Sequence, residues 1–310
     1  MAKKKTPDTA RGTLGAAVES AERRFVAAGL FFGHGSTNAF DEAVYLVLRT
    51  LGLPLDELDG VWKRRITPDE SAAVEDIVLR RMTEHIPAAY LTREAWLGPY
   101  KFYVDDRVIV PRSFIAELLR EELSPWIADA DAVTSVLDLC TGSGCLAVVA
   151  AMTFPHAQLD AVDLSTDALQ VARRNVDDYA LNARINLIES DMWAALKGRR
   201  YDLIVTNPPY VTGKSMAALP REYRHEPEMA LASGADGLDH VRTILRDAAA
   251  HLHDGGLLVV EVGFNRKGVE AAFPDIPFTW AEVSAGDGVV FLLTREELVR
   301  ANAMGRGANR

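Results

Sequence analysis

The stretch Ser135–Ala151, reading SVLDLCTGSGCLAVVAA, decides the fold. It begins as a short apolar run with the character of a buried strand. It then turns through Gly142 and Gly144 and continues as an apolar run of helical length. A strand that feeds a glycine turn and then a helix is the opening unit of a doubly wound, mainly parallel α/β sheet. Glycines in such a turn let the backbone approach a ligand, and the helix start beyond them offers free N–H groups. The spacing Gly142-x-Gly144-x-x-Ala147 also fits a dinucleotide fingerprint, which alone is a weak signal.

Working outward, the pattern repeats downstream. Strands are expected at Leu159–Leu164, Ile185–Ile188, Asp202–Thr206 and Leu257–Val262. Helices are expected at Cys145–Phe154, at Thr166–Ala180 with Ser165 as N-cap, and at Asp239–Leu252. The segments FTWAEVS and VVFLLT, split by a short glycine-containing turn, predict that the sheet ends in an antiparallel pair. Upstream the periodicity is helical instead. One helix is expected from about Thr13 to Leu30, a second after the N-cap Asn38, and a third after Thr67 with Pro68 at its first position. The run EAWLGPYKFYVDDRVIVPRS reads as a hairpin over about 95–111. Pro111 and Arg112 then lead into a short helix carrying Ile115, Leu118 and Leu119. The chain therefore divides into a helical domain of residues 1–91 and an α/β domain of residues 92–310.

Three acids fall at the ends of three successive strands. Asp163 stands where a carboxylate can grip two ribose hydroxyls, which suits NAD and S-adenosylmethionine equally. Asp138, just before the glycine turn, would repel a pyrophosphate but can bind the ammonium of a methionine moiety. Asp191 can accept from an adenine amino group, with Met192 as an apolar wall. Ligands of open α/β sheets bind at this carboxyl edge.

The fourth strand brings Thr206-Asn207-Pro208-Pro209-Tyr210 to the same edge. Two prolines fix their own φ and restrict the residue before each. An amide or arylamine nitrogen is a poor nucleophile because its lone pair is delocalised. The Asn207 side-chain oxygen and the Pro208 carbonyl can accept both of its N–H bonds and aim the lone pair, and Tyr210 can stack on the planar group. The prolines supply the stiffness such preorganisation needs.

The quoted motifs DLCTGSG, AVDLS, ESDMW and VTNPPY resemble those of amino-methyltransferases that use S-adenosylmethionine. The wider arrangement resembles the protein glutamine methyltransferases, the HemK family. That resemblance spans nearly the whole chain and implies a seven-stranded Rossmann-like methyltransferase sheet. Within the family, FFGHGSTNAFDEAVYLVL and IPAAYLTREAWLGPYKFYVDDRVIVPRS are similar to the branch that methylates a glutamine of large-subunit ribosomal protein L-three. Members acting on release factors carry IPRPETE where this chain has VPRSFIAELL. The resemblance implies that Asp138, Cys140, Thr141, Gly142, Ser143, Gly144, Asp163, Asp191, Met192 and Asn207 contact the cofactor. It also implies that Asn207, Pro208, Pro209 and Tyr210 hold the glutamine. Arg112 is read either as positioning the substrate loop or as a structural ion-pair partner, and Glu261 lies near the site. Many relatives have Gly where this chain has Cys140. The implied role of the helical domain is substrate recognition.

Composition narrows the rivals. The 310 residues carry 34 Lys and Arg against 44 Asp and Glu, a net charge of −10. That balance opposes a broad phosphate-binding footprint and suits a basic protein partner. An adenine amino-methyltransferase acting on nucleic acid would share the Asn-Pro-Pro-Tyr chemistry but would need a basic target domain. A release-factor methyltransferase differs only in the N-terminal domain and hairpin. A nucleotide-dependent oxidoreductase is opposed by Asp138, and a non-catalytic cofactor-binding module ranks last. The two cysteines, Cys140 and Cys145, suit a reducing compartment and offer no zinc spacing. No metal is expected, His251 and His253 read as solvated surface, and Lys3–Lys5 as a solvated tail. No apolar run reaches the roughly 18 residues of a membrane span. Met1–Lys5 lacks the apolar segment of a secretory signal, so the expected location is cytoplasmic.

Overall fold

The computed structural model describes residues 12 to 307, with side chains as far as residue 303; Lys3–Lys5 lie outside them. The chain forms two compact units. One comprises the residues up to Glu94 together with Pro220–His225, the other Ala95–Leu219 and Glu226 onward.

The helical unit is built on Leu14–Ala27, Ala39–Thr50 and Pro68–Glu84. Each helix begins as its sequence dictates. Thr13 accepts from Ala16 N–H, Asn38 accepts from Asp41 N–H, and Thr67 forms a reciprocal capping box with Glu70 ahead of Pro68. Leu14, Val18, Phe25, Leu46 and Val78 make its core. The unit extends past residue 91 because Glu94 is held to the second helix: Arg49 Nη2 donates to its carboxylate at 2.6 Å and Tyr45 Oη to its carbonyl at 2.9 Å. The unit gains Pro220–His225 through Glu222. That carboxylate accepts from Arg81 Nη1 at 3.1 Å and from Phe31 N–H at 3.1 Å, and it lies 3.0 Å from His85 Nδ1. Arg81 also donates to Glu42 at 2.7 Å and to Phe31 O at 2.9 Å, and it is 1% exposed.

The α/β unit opens with a small hairpin of β1 (Ala95–Leu97) and β2 (Tyr100–Phe102). The hairpin is shorter than its sequence suggested. After Phe102 the chain runs as irregular structure to the helix Ile115–Arg120. Asn175 replaces strand pairing there, accepting from Tyr103 N–H at 2.7 Å and donating to Tyr103 O at 3.0 Å. The main sheet comprises β3 (Ser135–Leu139), β4 (Gln158–Asp163), β5 (Ile185–Glu189), β6 (Tyr201–Thr206), β7 (Leu252–Glu261), β8 (Thr279–Trp280) and β9 (Val290–Thr294). Its order is β5-β4-β3-β6-β7-β9-β8. The first five strands in that order are parallel, and β9 and then β8 add antiparallel. This is the doubly wound, seven-stranded, mainly parallel sheet with an antiparallel C-terminal end.

Alternation along the strands divides two apolar layers. Val136, Leu203, Val205 and Val259 face one layer, with the helix Cys145–Thr153. Leu137, Ile204, Leu258 and Val260 face the other, with Asp239–Asp247 and Val269. From β3 the chain winds outward to β4 and β5, then returns to β6 on β3's other side. That reversal opens a crevice at the strand ends. The strand β7 begins at Leu252 rather than Leu257, and this overturns the reading of His251 as surface. His251 is 8% exposed, stacks on Trp193 with ring centroids 4.6 Å apart, and its Nδ1 lies 3.1 Å from Arg199 O. His253 is exposed, as expected. The helix Arg295–Gly307 had no counterpart in the sequence reading.

Candidate active site

The ends of β3, β4, β5 and β6 enclose a cleft of about 750 Å³, part of it open to solvent. Of the residues expected from sequence, Cys140, Gly142, Asp163, Asp191, Met192, Asn207 and Pro209 line it. Asp138, Thr141, Ser143, Gly144, Pro208, Tyr210 and Arg112 do not, and each has another place.

The two glycines separate by function. Gly142 has φ +55° and nothing within 4 Å of where a Cβ would stand, so its bare backbone faces the cleft. Gly144, at φ +77°, would place a Cβ 3.1 Å from Ala172 Cβ, so it serves helix packing. Thr141 Oγ1 donates to Asp138 Oδ2 at 2.5 Å, and Ala147 N–H donates to the same oxygen at 3.0 Å. Asn175 Nδ2 donates to Ser143 O at 2.8 Å. These residues stiffen the turn from behind.

Asp163 does two jobs. Its Oδ2 accepts from Gly142 N–H at 2.8 Å and its Oδ1 from Ser165 N–H at 2.9 Å, so the carboxylate that lines the cleft also braces the glycine turn. Burial raises its pKa, outweighing those N–H bonds. Asp138 is wholly buried, and burial pushes it up to about 7 against the bonds from Thr141 and Ala147, with nearby Asp163 adding to the rise. Burial, then Asp163 and Asp138, keep the Cys140 thiol protonated, with Sγ 3.8 Å from Met192 Sδ. Cys140 and Met192 both have positive φ, at 62° and 47°, a strained backbone of the kind that collects at functional sites.

Asn207 sits one residue beyond β6, where Thr206 pairs with Val260. Thr206 Oγ1 ties that strand end to Leu139 O at 2.6 Å. Pro208 and Pro209 are buried, and Pro209 lines the cleft. The Tyr210 ring packs over Gly263, where a Cβ would stand 2.7 Å from ring carbon Cε2. Arg112 has both terminal nitrogens on Glu226, at 2.5 and 2.8 Å. Glu261 is 1% exposed and accepts from Ser113 Oγ at 2.7 Å and Phe114 N–H at 2.9 Å, so it fastens the helix start. Burial raises it to about 7.

Sequence reasoning missed the outer walls. Val108 and Ile109 form one, Pro227, Met229 and Ala230 another, and His240 completes the rim. Apolar residues in loops carry no chemical flag. The one available signal was the Glu226-Pro227 pair, an acid fixed next to a stiff residue.

Three buried side-chain oxygens have no hydrogen-bond partner among the described residues, and two of them, Asp138 Oδ1 and Asn207 Oδ1, belong to this edge of the sheet; the third is Thr50 Oγ1. Unpaired buried acceptors are costly and mark places where a donor belongs. With Asp163 and Asp191 lining the cleft, the acceptor set favours a cationic nucleoside. S-adenosyl-L-methionine fits the residues that line the cleft, with Asp163 placed for ribose hydroxyls and Asp191 for an adenine amine.

Comparison with known proteins identifies the family. The methyltransferase small domain family matches residues 116–233. The ribosomal protein uL3 glutamine methyltransferase of Neisseria gonorrhoeae (strain ATCC 700825 / FA 1090) is 59% identical over 89% of this chain and 92% of its own. The Burkholderia pseudomallei (strain K96243) protein of that name is 58% identical over 91% and 94%. The one from Bordetella pertussis (strain Tohama I / ATCC BAA-589 / NCTC 13251) is 54% identical over 92% and 96%. At this identity over almost the full length of each relative, the chain belongs to the ribosomal protein uL3 glutamine methyltransferase family.

Proposed function

We propose that this protein methylates the side-chain amide nitrogen of a glutamine in ribosomal protein uL3, and that Asn207–Tyr210 hold that amide. The observation that carries the site assignment is the Asn207 oxygen, buried and unpartnered beside a cleft lined by Asp163 and Asp191. S-adenosyl-L-methionine, when bound, supplies an electrophilic methyl group on a sulfonium. The chain's own part is positioning. Asn207 Oδ1 accepts one N–H of the carboxamide and Pro208 O the other, which draws the nitrogen from planarity and directs its lone pair. Pro208 and Pro209 hold both acceptors still, so little reorganisation remains at the moment of transfer. Tyr210, braced by Gly263, offers a flat surface to the amide plane. Asp163 and Asp191 hold the cofactor, and Asp138, Thr141, Ser143 and Gly144 hold the turn that carries it.

The helical unit selects the protein substrate, and the acidic chain, at net −10, meets a basic partner rather than nucleic acid. No helix among the described residues is long and apolar enough to cross a membrane; the location of the reaction is read as cytoplasmic. The test is methyl transfer from labelled cofactor to purified uL3, a release factor and DNA offered side by side. Label on the uL3 glutamine alone supports the reading; label on DNA or on the release factor sinks it. A chimera carrying a release-factor enzyme's helical domain and hairpin on residues 113–310 locates specificity. If the chimera still methylates only uL3, recognition lies in the α/β unit.

A further inference from the structure

The outer walls of the cleft come from segments more than a hundred residues apart in sequence, and one carboxylate sits where they meet. Glu226 has a fully buried side chain. Its Oε1 accepts from Val110 N–H at 2.9 Å and from Arg112 Nη1 at 2.5 Å, and its Oε2 from Arg112 Nη2 at 2.8 Å. Arg112 Nη1 also donates to Val110 O at 3.0 Å. Val110 directly follows the wall residues Val108 and Ile109, and Pro227, a residue of the opposite wall, directly follows Glu226. The far end of the first segment is pinned separately, where Ser113 and Phe114 donate to Glu261. Neither Arg112 nor Glu226 itself lines the cleft.

We propose that Glu226 is a positioning residue: through Arg112 and Val110 it sets the separation of the two walls and so governs cofactor affinity rather than the methyl-transfer step. The inference rests on the cleft being the cofactor site. A planar guanidinium suits the task because its two parallel N–H bonds fix the carboxylate's orientation as well as its distance. Lysine, a point charge, keeps the attraction and loses the orientation. Proline at the next position passes a rotation of Glu226 to the wall with little slack.

The experiment measures S-adenosyl-L-methionine affinity by calorimetry, with turnover at saturating cofactor, for the wild type, Arg112→Lys, Glu226→Gln and a control. Arg184→Met is the control. Arg184 donates to the Ala151, Phe154 and Ala157 carbonyls away from the cleft, so its loss destabilises the same unit without touching either wall. Arg112→Lys and Glu226→Gln should raise Kd tenfold or more while saturated turnover stays within about threefold, and Arg184→Met should leave Kd unchanged. Unchanged Kd in Arg112→Lys and Glu226→Gln, with melting lowered as in the control, would make the pair merely structural and overturn the proposal. A fall in saturated turnover at unchanged Kd would overturn it too. Hydrogen exchange on the wild type covers the case of variants that do not fold. The cofactor product S-adenosylhomocysteine should protect residues 107–110 and 228–231 together, and protection of one segment alone counts against coupling. Asp163→Asn separates the premise: if it binds cofactor as the wild type does, the cleft assignment fails, whatever Glu226 does.

Discussion

Two regions of this molecule bury charged and polar side chains, and they do so in opposite ways. In the helical unit, Arg81 has its donors on Glu42, Glu222 and the Phe31 carbonyl, and Glu222 is met by Arg81, His85 and a backbone N–H. At the carboxyl edge of the sheet, Asp138 Oδ1 and Asn207 Oδ1 are equally buried but have no partner among the described residues. The helical unit has open atoms of its own, Thr50 Oγ1 and Arg64 Nη1, but Asn207 Oδ1 differs from them in standing at a cleft. Burial of charge alone does not distinguish stability from function; an unfilled valence beside a cleft is the sharper mark.

The comparison breaks first at Arg81. Replacing it with Met leaves Glu42 and Glu222 buried without their cation, and removing one partner of a buried ion pair costs about 3–5 kcal/mol. Denaturant unfolding should show that loss, while turnover per folded molecule stays near wild type. An Arg81→Met protein as stable as the wild type would remove the helical half of the contrast. Asn207→Ala is the mirror experiment. Losing one preorganised acceptor should lower turnover by roughly 10² to 10³, about 3–4 kcal/mol, and leave unfolding unchanged. Turnover near wild type would mean that the open oxygen has no chemical task.

The frame of the site was legible because it depends on local patterns. The strand-turn-helix at Ser135–Ala151, the acids at successive strand ends, and the caps Asn38, Thr67 and Ser165 all act within a few residues. What stayed hidden depends on distant chain segments. Nothing near Glu226 says that it meets Arg112, nothing near Glu222 says that Pro220–His225 joins the helical unit, and His251 looked solvated because its partner Trp193 lies 58 positions back in the sequence. The glycine turn was read correctly in kind, but only packing shows that Gly144 answers to Ala172 and Gly142 to the cleft.

A pH measurement sharpens the comparison on Asp138. Its pKa in the free protein is raised to about 7 by burial. Its open Oδ1 stands behind the cleft lining; an ammonium that reaches it pairs with the carboxylate only, which gives the bound state the lower pKa and makes binding below pH 7 release a proton. Cofactor affinity should therefore rise with pH, by up to about tenfold per unit, and level off above about 7. Asp138→Asn should flatten the curve. A wild-type curve flat from pH 5.5 to 7.5 would show that Asp138 meets no cation.

The smallest expected effect is the most discriminating. Asn207→Asp keeps an acceptor of the same size at the end of β6, so geometry is preserved and only charge changes. The cleft already holds Asp163 and Asp191, and a further carboxylate there favours a bound cation. That gain is largest in the ground state, because the positive charge is dispersing at the transition state. Tighter binding of the ground state alone lowers turnover instead of raising it. Asn207→Asp should thus bind S-adenosyl-L-methionine as well as the wild type or better, and turn over about tenfold more slowly. Weaker binding with unchanged turnover would reverse the argument: Asn207 would then be holding the cofactor, and the glutamine amide would need its acceptors elsewhere along the sheet edge.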